Sequence, residues 1–242
     1  AASIRRDPPL IREMEKLVLH PRSKFKKSLP TAIPHLIEDS MASPAQTIEG
    51  IVLSRVETGE NYLRFSIFCG AEGLQVALMR KTRGKSHSLP DLFDQVELGL
   101  AQTLSNGLPF VRESRVLAKR RELALRHDRF QSASDLALLY LQNGRLLLEP
   151  QPLFNLLEVA LTTLSEGGDP RAVFFKALFL FARNEGLPVK ESWLPGLTQS
   201  NQSIARSILG RPVGAENRSS HELISLVESL RLWLNSETEL RC

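Results

Sequence analysis

The spacing of apolar residues changes period near residue 116, and no other feature constrains the fold of this chain as strongly. Between residues 47 and 115 the period is two. Leu63, Phe65 and Ile67 alternate with Arg64 and Ser66, Leu74, Val76 and Leu78 with Gln75 and Ala77, and Val96, Leu98 and Leu100 with Glu97 and Gly99. Such alternation marks half-buried strands. A first strand over 48–56 and a last one over 110–114 bring the expected number to five. Turn-forming strings separate them: Thr58-Gly59-Glu60-Asn61, Gly70-Ala71-Glu72-Gly73, a longer segment over 80–90, and Ser105-Asn106-Gly107. Five short antiparallel strands predict a small barrel, for which the oligonucleotide/oligosaccharide-binding (OB) type is the common five-stranded form.

Beyond Val116 the spacing is helical. Residues 136–141 form a dense apolar block, and Phe154, Leu157, Leu161 and Leu164 recur at helical intervals. Residues 173–182 are apolar on nearly every side except at Lys176, the pattern of a helix in the middle of a bundle. Ser219 followed by Glu222 matches a capping box, after which Leu223, Leu226, Val227, Leu230 and Leu234 make one stripe. Six of the 14 prolines fall in the first 45 residues, which breaks up helices there. The expected organisation is multi-domain: a basic, proline-rich arm over 1–46, an OB-like barrel over 47–115, and an all-helical domain over 116–242.

Several classes are excluded or disfavoured. The two cysteines, Cys69 and Cys242, are far apart and form no CxxC, so neither a disulfide scaffold nor a cysteine-built zinc site is expected. A reducing cytoplasm fits this usage. No apolar run is long enough to span a bilayer, and Asp7-Pro8-Pro9 stands where a secretory signal would carry its apolar segment. GxxxxGK[ST], GxSxG, HExxH and GxGxxG are all absent, and the five histidines are scattered singly. Cys69, at the end of an apolar strand, reads as a core residue. The expectation is a protein that is not an enzyme and carries no cofactor or metal.

The net charge is +4, but it is unevenly placed. Residues 1–40 hold eight basic and five acidic side chains, 41–49 only Glu49, 50–130 thirteen and nine, and 131–242 ten and twelve. The first 130 residues therefore carry +6 and the remainder −2. Arg80-Lys81-Thr82-Arg83-Gly84-Lys85 places four cations in six positions directly after a strand. A second group, Arg112, Arg115, Lys119, Arg120 and Arg121, leads from the last strand into the helical half. Cations so spaced neutralise the phosphates of a nucleic acid and release its counterions. Taken alone, either group is a solvated surface, and Arg120 or Arg121 has Glu113 or Glu122 as a neighbour to pair with. On one barrel both groups border a groove. Tyr62, Phe65, Phe68, Phe93 and Phe110 are the aromatics available for stacking on bases, a thin supply that favours phosphate contact over base readout.

Several strings resemble the bacterial RecO family of recombination mediators. Ile48-Glu49-Gly50-Ile51-Val52-Leu53 is similar to the family's opening strand and Thr58-Gly59-Glu60-Asn61 to its following turn. Ala77-Leu78-Met79-Arg80 with Arg83-Gly84-Lys85-Ser86 resembles its basic segment, and residues 177–188 resemble a helix of its second half. Two departures stand out: Lys81 replaces the usual glycine of the basic segment, and the cysteine quartet found in many members is absent, which removes the zinc ribbon. The resemblance implies an OB domain and a helical domain. It also implies binding and annealing of single- and double-stranded DNA, engagement of the C-terminal tail of single-strand-binding protein (SSB), and, with RecR, help in loading RecA during DNA repair and recombination. It carries a DNA-contact role to Arg80, Arg83 and Lys85; Arg64, Lys81, Arg112, Arg115, Lys119, Arg120 and Arg121 are added from charge placement alone. The alternative expectation is a helical protein-interaction adaptor whose small barrel docks a partner and never touches DNA.

Overall fold

The computed structural model describes residues 46–81, 89–101, 107–214 and 220–242, and residues 42–242 form one compact unit. The proline-rich arm up to residue 45, Arg83, Lys85 and Ser219 lie outside the described residues.

Five strands, β1 (Gln46–Thr58), β2 (Tyr62–Cys69), β3 (Gly73–Arg80), β4 (Gln95–Ala101) and β5 (Phe110–Ala118), close into a barrel in the order β1-β2-β3-β5-β4. This is the expected OB-like barrel, with β5 running four residues beyond the segment assigned from its spacing. Four of the strand contacts are antiparallel; β3 and β5 run parallel and meet at a single register pair, Leu78 with Phe110, beside the bond from Leu78 N–H to the Pro109 carbonyl at 2.9 Å. The barrel is thus zipped almost all round and merely pinned at one seam.

β1 serves two neighbours. Its first half pairs with β4 and its second with β2, and an extra residue, Leu53, interrupts the register with β2. Such a bulge increases local twist and lets a long strand wrap a tight barrel. Ile48 and Val52 go to the lumen with Leu63, Phe65, Ile67, Cys69, Val96, Leu98 and Leu100, whereas Ile51 and Leu53 join the core formed by the helices.

β3 departs from its spacing. The apolar set Leu74, Val76 and Leu78 was the expected buried face, yet Ala77 and Met79 fill the lumen and those three point outward. The register explains it: Ala77 lies opposite Phe65 and Met79 opposite Leu63, so a small residue faces a ring in a narrow interior. Leu74 then packs on the helical core, and Val76 and Leu78 stay half-exposed.

The helical part begins with a 3₁₀ turn (Arg121–Leu125) and continues as α1 (His127–Asn143), α2 (Pro150–Ser165), α3 (Pro170–Asn184), α4 (Gln199–Gly210) and α5 (Ser220–Glu237), with a π turn (Val189–Trp193) and a 3₁₀ turn (Leu194–Gly196) between α3 and α4. As its all-round apolar character requires, α3 is central: Val173, Phe174, Phe175, Leu178, Phe179 and Phe181 are all buried. Asp169 caps it by accepting from the N–H groups of Arg171 and Ala172, with Pro170 as the first helical residue. Leu223, Leu226, Leu230 and Leu234 of α5 are buried and Val227 packs beside them, the stripe expected from spacing.

The outer face of the barrel contributes Ile51, Leu53 and Phe68 to the core of the helices, separate from the barrel lumen. Phe68 reaches out of β2 to meet Tyr140 of α1 edge-on, with ring centroids 4.8 Å apart, and Tyr140 in turn meets Phe181 at 5.0 Å. The Tyr140 hydroxyl, fully enclosed, donates to the Leu153 carbonyl at 2.7 Å. Gly73, at φ +68°, lies at this junction; a Cβ there would come within 2.8 Å of the Gly144 carbonyl, so only glycine satisfies both the turn and the approach.

Candidate nucleic-acid interface

Alternation along β2 sends Leu63, Phe65 and Ile67 inward and therefore Tyr62, Arg64, Ser66 and Phe68 outward. Opposite them on β3 stand Arg80, Leu78, Val76 and Leu74, in that order. One ribbon face thus runs from Phe68 and Leu74, covered by α1, to Tyr62 and Arg80, which α1 does not reach. At this uncovered end Tyr62 is 37% exposed, Arg80 is exposed and Arg64 half-exposed. Phe110, arriving on the other side of β3, approaches Tyr62 with ring centroids 5.7 Å apart and planes at 57°. Two rings from strands flanking β3 therefore lean over the seam where β3 and β5 have their single register pair.

Around these rings the charge is mostly of one sign. Neither Arg64 nor Arg80 has an ion pair or hydrogen bond to its side chain among the described residues. Lys81 differs: its ammonium lies 3.0 Å from a Glu57 carboxylate oxygen, and its backbone N–H donates to the Asn61 carbonyl at 2.7 Å. It clips the strand ends together and offers less charge to a ligand. A cleft of about 440 Å³ opens next to this region, lined by Met79, Arg80, Leu89, Val111, Arg112, Glu113 and Ser114. One member of each basic group, Arg80 and Arg112, lines this cleft together with Glu113, while Arg83 and Lys85 lie outside the described residues.

The rest of the second group is dispersed. Arg115 is exposed but stands opposite Glu97, which is itself opposite Glu49, so that row across β1, β4 and β5 carries more negative than positive charge. Lys119 and Arg121 are exposed after β5. Arg120 requires a correction: it is 5% exposed, and its guanidinium donates to the Phe93 carbonyl at 2.8 Å. Burial lowers its pKa, opposed by the nearby carboxylates of Glu158 and Asp94. Phe93 has φ +68°, a strained conformation for a non-glycine residue, with its ring packed edge-on to Phe130 at 5.8 Å. Arg120 holds that turn against the helices and is not available to a ligand.

Of the five candidate stacking aromatics, Phe65, Phe68 and Phe93 are buried and only Tyr62 and Phe110 face outward. Both were among the stacking candidates named from the sequence, which did not separate them from the three buried rings. Their partial signal is position, since each opens a strand next to a turn. Burial pushes the Cys69 thiol up to about 12, which keeps it protonated at neutral pH. Among the described residues no three His, Cys, Asp or Glu side chains are grouped to hold a metal ion, and no helix is long and apolar enough to cross a membrane.

A second cleft, of about 420 Å³, lies between α1, α3 and α5. Phe174, Leu223 and Val227 give it an apolar floor; Arg171 and Arg231 border it together with Asp128, Asp135 and Glu228. Arg231 lies over the Phe174 ring at 4.7 Å and pairs with Asp135 at 3.3 Å. Comparison of the chain with the models of known protein families and with curated proteins gives no match.

Proposed function

We propose that this chain is a DNA-binding mediator of recombinational repair, acting through the outer face of its barrel and not through catalysis. The observation that carries the reading is the uncovered end of the β2-β3 ribbon, where Arg64 and Arg80 lack partners among the described residues and Arg80 shares a cleft with Arg112. Three guanidinium groups without ion-paired carboxylates on an OB-like barrel suit a phosphate backbone, because each releases condensed counterions on contact. Screening of phosphate repulsion would let two strands, or a strand and a recombinase, come together, which is the chemistry of annealing and of RecA loading. The resemblance to the RecO family supports the same reading and extends it to RecR and to the SSB tail. The cleft between α1, α3 and α5 is not assigned to that acidic tail, because Asp128, Asp135, Asp169 and Glu228 outnumber Arg171 and Arg231 in its lining and Arg231 is paired with Asp135.

Retention on single-stranded DNA cellulose at low salt, elution as salt rises, and faster annealing of complementary oligonucleotides are the expected results. A pull-down with an SSB tail peptide tests the partner. Passage through the column without retention would favour a helical adaptor instead, a reading that gains from Leu146 and Leu148, which stand 82% and 96% exposed in the loop between α1 and α2.

A further inference from the structure

We infer that Tyr62, backed by Phe110, is a stacking platform for unpaired bases, so that the barrel face favours single-stranded over duplex DNA. The inference rests on the nucleic-acid reading above and adds base contact to its phosphate contacts.

Four observations converge on it. Tyr62 is a large aromatic residue left 37% exposed on a strand whose next outward aromatic, Phe68, is wholly enclosed. Its hydroxyl has no hydrogen bond among the described residues, so the ring is not held in place by its polar end. Phe110, the register partner of Leu78 on β3, packs directly on the ring at 5.7 Å with the planes tilted by 57°, which restricts the ring's direction before any ligand arrives. Arg80 is the direct cross-strand neighbour of Tyr62, and Arg64 is the next outward residue of the same strand. A nucleotide has an apolar face and an anionic linkage one sugar away, and this group of side chains offers a ring with two cations at neighbouring outward positions of the ribbon. Stacking works on any base because each has a π face, but it requires that the base be out of its duplex. Paired bases keep their faces covered, so a duplex has only its phosphates to offer here.

A purely architectural role for the two rings, covering the weak seam between β3 and β5, must be separable from stacking. The test uses the full chain and three fluorescently labelled probes: oligothymidylate, an abasic oligomer of the same length, and a duplex. Oligothymidylate is expected to bind about tenfold tighter than the abasic oligomer, the order of one stacked base. Tyr62→Ala should remove that preference and leave abasic and duplex binding, and the dependence on salt, unchanged. Tyr62→Phe should keep the preference. Tyr62→Leu, which still covers the seam but has no π face, should lose it. Equal binding of oligothymidylate and abasic oligomer by the unaltered protein, or a Tyr62→Leu variant that keeps the preference, overturns the stacking inference while phosphate binding stands. Failure of all three probes to bind overturns the nucleic-acid reading as well.

Discussion

The two ends of the β2-β3 ribbon use similar residues for opposite purposes. At one end Phe68 is buried against Tyr140 of α1 and half-buried Leu74 packs on the same helical core; at the other Tyr62 and Arg80 leave the barrel and meet Phe110 and open space. The arginines divide in the same way. Arg120 is buried with its guanidinium on the Phe93 carbonyl and carboxylates nearby, whereas Arg64 and Arg80 have no such partners among the described residues. An aromatic or an arginine is therefore architectural or available according to what the neighbouring element covers. Cation counts along the chain do not distinguish the two.

That division can be attacked from its strongest side first. Phe68→Ala removes a ring from the barrel-helix junction and should cost about 3–5 kcal/mol of stability in urea unfolding, the range for large aromatic truncations in cores. A loss under about 1 kcal/mol would mean that the helices do not depend on the barrel for their packing. Arg120→Met should cost about 2–3 kcal/mol, because the Phe93 carbonyl loses a charged donor and the nearby carboxylates lose their counterion. Its affinity for oligothymidylate, per folded molecule, should be unchanged; a specific loss of binding would return Arg120 to the interface.

A further effect is confined to alkaline pH. The Cys69 thiol is held near 12 by burial, above its ordinary value of 9.0, so its protonated form is favoured in the folded state. Its contribution is complete below pH 9 and is lost as pH rises from 9 toward 12. Cys69→Ala should accordingly flatten the fall in urea midpoint over that window, and an unchanged profile would show that the thiol is not enclosed.

Much of the fold was legible because period-two and helical spacing are local signals. All five strands, the central apolar helix and the stripe of α5 follow from them. The facing of β3 was not legible, since its more apolar set, Leu74, Val76 and Leu78, is the outward one, and it is the Phe65 ring opposite Ala77 that favours the smaller set in the lumen. The burial of Arg120 was equally hidden between exposed Lys119 and Arg121: it depends on where the chain turns after β5. That Arg80 and Arg112 line one cleft was anticipated from the barrel, but the pairing of Tyr62 with Phe110 was not, because it depends on a parallel seam that joins strands remote in sequence.

The central claim is that the outer barrel face binds DNA through Arg64, Arg80 and Arg112. Anisotropy titration of labelled oligothymidylate over a range of salt tests it most directly, comparing the unaltered chain with the variant Arg64→Glu/Arg80→Glu/Arg112→Glu. Affinity should fall linearly on a log-log plot, and the variant should bind more weakly with a slope shallower by about 2, near 0.7 for each single-strand phosphate that it no longer neutralises. A correctly folded variant with the affinity and slope of the unaltered chain would contradict the account.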